Sequence, residues 1–392
     1  MNARERFLAC MDFDLSCRVP LWELGYWAGA VRRWYGEGLP KRTGLPDWLL
    51  DGQGVRGEGA YWDESRPPGP GSQPLPWLRQ GHPPSAAQHV HLPAVLAEVL
   101  EDHGEWILWR DEDGIVKKDL KNRQTLPHYV RGPVETREDW ERLKAERLRP
   151  TIEGRLPGNW PELVREFRER DYPLLIGALH GFYGTPRYLL GDERVLTAFY
   201  DDPDLMRDIT THLTDLWIAL YAKVFEYVKP DLALIWEDMC YRTGPLISPA
   251  TFREFILPCY RRLTAFLKDS GVKVIHVDTD GNVWKLLPLF VEGGITGMYP
   301  FEAMAGMNVV EVREAFPKLQ ILGGIGKTKV AAGKREIDEE LAAKVPYMLA
   351  RGGYIPFADH LVPPDVAWAD FEYYRRRVAD MVAQGAGPVA RE

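Results

Sequence analysis

From about residue 160 onward one rhythm runs through the chain, and it limits the fold more than any other feature. Short apolar runs at 174–177, 231–236, 272–277, 296–299, 319–322 and 354–357 read as strands. Helical patterns at 161–170, 192–200, 204–227, 283–291, 308–315, 337–349 and 366–383 lie between them, and Ser248-Pro249 starts another. Pro203 and Pro249 suit the first helical position, where a missing N–H removes no helical hydrogen bond. Strand, helix, strand at short spacing means parallel strands joined by right-handed crossovers. With a short extended run at 18–22, the count comes close to eight pairs. The predicted class is α/β, a closed TIM (β/α)8 barrel. No Gly-x-Gly-x-x-Gly opens a helix after an early strand, which argues against a dinucleotide-binding sheet.

The N-terminal part lacks this regularity. Residues 2–11 read as an amphipathic helix, not the continuous apolar core of a signal peptide. A helix over 28–35 is expected to stop at Gly36. From Gly38 to about Pro93 glycine and proline break every pattern, and the stretch reads as a lid or a dimer contact. Extended runs at 105–110 and 115–120 flank Asp111-Glu112-Asp113-Gly114, a predicted β-hairpin decoration. Thr136 caps a charged helix running to Leu148, with Asp139 in its first turn. The chain is read as one domain over 1–392, with an irregular lid and hairpin excursion over 38–130.

Composition excludes several partners. A net charge of -8 speaks against nucleic acid and anionic membrane surfaces. No apolar run reaches 18 residues, so no membrane span is expected. The four cysteines show no paired Cys-x-x-Cys spacing, and a reducing cytoplasm is the expected location. The 14 Trp and 17 Tyr fit a core and a subunit interface, so a homodimer is one expectation. The cluster around Trp22, Tyr26, Trp27, Trp34 and Tyr35 could instead wall a pocket.

Titratable groups recur where a barrel places its chemistry, at the C-terminal ends of strands. His180 follows the 174–177 run, Glu237-Asp238 follow 231–236, and His276, Asp278 and Asp280 end 272–277. Glu302, Lys327 and Asp359-His360 follow the later runs. His276 and Asp278 lie two apart, so on a strand they share a face. With His360 from another strand they form a candidate site for zinc or a harder divalent ion. The same groups without metal form an acid–base cluster. Asp280, just before a helical pattern, is also an N-cap candidate. Cys240 has no assignable base and is a weak candidate nucleophile.

Particular stretches carry a resemblance. Asp201-Asp202-Pro203, the run 244–249, the run 276–281, Gly323-Gly324-Ile325 and the run 353–360 resemble the uroporphyrinogen decarboxylase superfamily, which includes corrinoid-linked methyltransferases. The likeness covers 160–383 and implies a TIM barrel. It implies a proton-handling role for His360, which resembles the decarboxylases' C-terminal active-site histidine. The decarboxylases' arginine-rich N-terminal motif is replaced here by Arg18-Val19-Pro20-Leu21-Trp22-Glu23, so a substrate of many carboxylates would face Glu23 with no arginine clamp. The methyltransferase branch has a His and two Cys on zinc. His276 matches that histidine, but Asp278 stands at the first Cys and Asp359-His360 near the last, which implies a harder site.

The reading that follows is an enzyme acting on a small molecule. Methyl transfer with a corrinoid, as substrate or on a partner protein, leads. His276, Asp278, Asp280, His360, Glu237 and Asp238 are its expected catalytic groups, and His276, Asp278 and His360 its expected metal ligands. His180, Glu302, Asp359, Trp22 and Tyr26 are the expected substrate contacts. The alternatives are a decarboxylase, a lyase with Asp278, Asp280 or His360 as proton donor, and a non-catalytic barrel that binds a corrinoid partner.

Overall fold

The structure, a computed structural model, describes residues 1–39, 97–111, 114–121, 128–153, 155–156, 158–178 and 180–385. The Gly/Pro-rich stretch expected to be a lid or dimer contact lies almost wholly outside these residues, as does the Glu112-Asp113 tip of the hairpin.

Two helices, α1 (Ala3–Met11) and α2 (Ala28–Glu37), come first. An Asn2–Glu5 capping box starts α1. The second helix runs past Gly36 and stops at Gly38, whose φ of 111° gives the left-handed cap. Four antiparallel strands follow in order, β1 (Glu98–Asp102), β2 (Trp106–Arg110), β3 (Val116–Leu120) and β4 (His128–Arg131). The expected hairpin is therefore the centre of a four-stranded meander. Then come α3 (Arg137–Glu146), with the Thr136–Asp139 capping box, and α4 (Trp160–Glu169).

The rest is alternating. β5 (Leu175–Ala178) leads to α5 (Gly184–Leu190), α6 (Asp192–Asp201) and α7 (Pro203–Phe225). β6 (Leu232–Trp236) leads to a two-rung hairpin, β7 (Cys240–Tyr241) and β8 (Gly244–Pro245), then to α8 (Pro249–Thr251), a π turn and α9 (Leu257–Asp269). β9 (Val274–Asp278), α10 (Leu287–Glu292), β10 (Gly297–Tyr299), α11 (Val309–Ala315), β11 (Gln320–Leu322), α12 (Lys327–Ala331), α13 (Lys334–Leu349), β12 (Tyr354–Ile355) and α14 (Trp368–Gln384) complete the chain.

Six strands form one parallel sheet in the order β12-β11-β10-β9-β6-β5. Successive residues point to opposite faces. Outward residues such as Ile176, Ala233, Ile275, Met298 and Ile321 pack under the helices in the larger core. Inward ones, Leu175, Leu232, Val274, Tyr299, Leu322 and Ile355, meet in a second cluster with Phe7 of α1 and Trp22. Both edge strands thus contribute to one inner core, which is the filled interior of a barrel rather than one face of an open sheet. α1 plugs its lower end.

The run at 18–22, expected as a strand, makes no ladder of its own. Pro20 has no N–H to give one. The segment docks on the end of the sheet by other means: a parallel bridge from Tyr26 to Val362, and Ala358 N–H donating to Glu23 Oε1 at 2.8 Å. The second oxygen of Glu23 takes Arg375 Nη1 of α14 at 3.1 Å, and Glu23 is 1% exposed. Burial pushes the Glu23 carboxyl up, against the opposing pull of Arg375. Glu23 therefore holds the barrel wall together and does not face a substrate.

Candidate active site

The two histidines of the strand ends have separate surroundings. On β9, Val274, His276 and Asp278 share the inner face. His276 is 1% exposed, and its Nε2 lies 2.9 Å from Gln320 Oε1. Gln320 also accepts from the Thr296 hydroxyl at 2.6 Å and donates to Met11 O at 2.9 Å, which ties the ring to the lower part of the barrel. Gly297 on β10 leaves the space the ring fills, since a Cβ there would stand 2.6 Å from it. Burial pulls the imidazole down to about 4, only partly opposed by the Gln320 bond, so His276 is neutral at pH 7.

His360 lies at the opposite, open end. Its Nε2 stands 3.2 Å from Asp280 Oδ2, and the two side chains keep 25% and 33% exposure. Burial pulls this imidazole down, but the hydrogen bond and charge of Asp280 outweigh it and the value ends above the ordinary one. Asp280 is not a helix cap, because the next helix begins only at Leu287. The turn that carries it needs Gly281: φ is 77°, and any Cβ would collide with the Cys240 carbonyl.

Other charged groups surround the pair. Asp238 has φ 45° and accepts from Arg187 Nη1 at 2.7 Å. Burial and then the charge of Asp280 push its carboxyl up, while Arg187 and His360 pull the other way. Glu302 accepts from Gly281 N–H at 3.0 Å and from Lys327 Nζ at 2.8 Å. Asp359, fully buried, accepts the Ala303 and Lys327 N–H groups, each at 2.8 Å, and so fixes the turn that presents His360. Asp278, half-buried, pairs with Trp236 and Tyr299 in the ladder and lies on the inner face between His276 and the mouth.

The remaining expected residues lie elsewhere. Glu237 is fully buried behind the mouth. It accepts from the N–H groups of Phe182, Tyr183 and Gly184 and from Tyr260 Oη at 2.5 Å. Burial, working against these donors, holds its carboxyl above the usual range. Its geometry anchors the start of α5. His180 packs against Tyr188 and Trp236, with ring centroids 3.9 and 5.0 Å away. Trp22 and Tyr26 are 2% and 1% exposed; Trp22 stacks on Phe7 and Tyr26 meets Trp34 and Phe371 edge-on, so both belong to the packed core rather than to a pocket wall. Burial pushes the Cys240 thiol up to about 12, which makes it a poor nucleophile.

The expected metal ligands His276, Asp278 and His360 are not assembled into one donor set. Among the described residues no three His, Cys, Asp or Glu side chains come together as metal ligands. What the mouth does bring together is Asp238, Asp280 and His360, flanked by Arg187, Glu302 and Lys327. Arg187 escapes the sequence reading because it sits inside α5, a helix of seven residues whose pattern is too short to read.

A parallel barrel filled by side chains, with acids and an imidazole at the strand ends, defines a barrel enzyme site. The chain belongs to the uroporphyrinogen decarboxylase (URO-D) family, which matches residues 119–380. No curated protein matches it. Among solved structures it is similar to a methyltransferase from Methanosarcina mazei, at 15% identity and a TM-score of 0.54, covering 97% of this chain and 98% of that one. That likeness shows the shared fold.

Proposed function

We propose that this protein transfers a methyl group between a small-molecule donor and a corrinoid, free or carried on a partner protein, with His360 as proton donor. The Asp280–His360 pair at the exposed mouth carries this reading. Its imidazole is biased toward the protonated form by Asp280 and remains open to a ligand. A reduced corrinoid, when bound, supplies the nucleophile that takes the methyl group. The bond between methyl carbon and heteroatom breaks, and the heteroatom keeps the electron pair. Asp280 holds Nε2–H of His360, and Nδ1–H delivers a proton to that heteroatom; water then restores the proton.

Two further observations support methyl transfer over decarboxylation of a polycarboxylate. The mouth cations Arg187 and Lys327 are already paired with Asp192, Asp238 and Glu302. The mouth itself carries the carboxylates Asp238, Asp280 and Glu302. A substrate bearing many carboxylates would meet fixed negative charge. No metal step is invoked, because the expected donor set is not assembled.

The test uses reduced cobalamin and a panel of O-, N- and S-methyl donors, with methylation followed by its visible spectrum. H360Q and D280N should each lower the rate about 10²- to 10⁴-fold with the best donor. Carbon dioxide release from carboxylate substrates, with no methylation of cobalamin by any donor, would overturn the proposal in favour of a lyase.

A further inference from the structure

Arg187 of α5 touches the mouth without being part of any strand end. Its Nη1 donates to Asp238 Oδ2 at 2.7 Å and to the Asp238 main-chain O at 3.3 Å, and its Nε donates to Asp192 Oδ1 at 2.6 Å. The guanidinium is thus held on one side by α6 and grips a strand-end residue on the other. Asp238 needs such a grip. A non-glycine residue at φ 45° persists only where surrounding contacts over-determine it. The fixed fork of the guanidinium lets Nη1 hold the side-chain and main-chain oxygens of Asp238 while Nε stays anchored on Asp192, a geometry an ammonium lacks. The ring of Tyr129, from β4 of the meander, lies 5.8 Å from the guanidinium, and its hydroxyl meets that of Tyr188 at 3.1 Å. The arginine therefore lies between the meander and the mouth.

Asp238 faces charged groups from several elements. Arg187 reaches it from α5, Asp280 from the turn after β9 and His360 from the turn after β12. Tyr183 just before α5, Tyr188 within it and Cys240 of β7 also feel its charge.

We propose that Arg187 is a positioning residue: by gripping both the side chain and the main chain of Asp238, it fixes that carboxylate beside the Asp280–His360 pair. The role matters for the proton donor proposed above, but its test does not require that reaction. Protein labelled in its histidine rings is compared at one fixed pH, with the His360 signal assigned by its loss in H360Q. R187M and D238N should move that signal in the same sense, and the R187M/D238N double variant should move it no further than D238N alone. An unmoved signal in R187M, or additive shifts in the double variant, would overturn the proposal. If R187M does not fold, R187K carries the same test, since it keeps the charge and loses the fork. Where methyl transfer is measurable, R187K should lower kcat about 10²-fold with KM unchanged. An inactive protein whose His360 signal still follows the Arg187–Asp238 cycle would sink the reaction and leave the positioning role intact.

Discussion

His276 and His360 look alike in the sequence, each at the end of a strand beside a carboxylate. The fold gives them opposite charge preferences. His276 is buried against Gln320, a neutral partner 44 residues away, and its value falls to about 4. Against an ordinary value of about 6.5, the unfolded chain takes up a proton first as pH drops. The stability that neutral His276 contributes is complete above about 6.5 and is lost toward pH 4, roughly 3 kcal/mol in all. Urea unfolding of the wild type should therefore weaken between pH 6.5 and 4.5 more than that of H276Q; equal slopes would contradict the assignment. His360 runs the other way. Its raised value means the pair with Asp280 stabilises most below pH 6.5 and fades as pH climbs through the folded value. D280N should cost stability at pH 6 and little at pH 9, read from unfolding midpoints. Strand-end position was legible from residue type and spacing, but charge state was not, because it depends on partners brought in from distant strands.

Among elements, the six parallel strands and most helices were legible, since apolar runs, prolines and caps are local signals. Ser248, Thr136 and Pro203 act as the local pattern predicts. Three parts of the chain depart from the local reading, for identifiable reasons. β1 and β4, exposed along nearly their whole length, carry no apolar alternation, so only the inner hairpin of the meander could be seen. The segment at 18–26 holds Trp22 and Tyr26, expected as substrate contacts because aromatics can wall a pocket, yet both fill the core. Its tie to the sheet is Glu23 on Arg375, both nearly inaccessible. E23Q strands the arginine charge and should cost about 3–5 kcal/mol in denaturant unfolding. An E23L/R375M double variant should be far less damaged than E23Q; if the double is the worse of the two, the pair is more than a mutual neutralisation.

On the scale of the whole molecule, burial divides the protein unevenly. β9 is buried over four of its five residues, and β1 is exposed over all five. Backbone hydrogen exchange should therefore be slowest in β9 and its neighbours β6 and β10, and fast in β1, an edge strand. Comparable protection in β1 would mean that something else covers it.

The Glu23–Arg375 contact joins residues 352 positions apart. At a ribosomal pace of 5–20 residues per second, the glutamate waits roughly 20–70 s for its partner to be made. Throughout that interval Trp22 and its apolar neighbours lack the last strand and helix they pack beside. Closure of this barrel is thus a late event in the life of the nascent chain, and the N-terminal segment is the part with most need of protection until then.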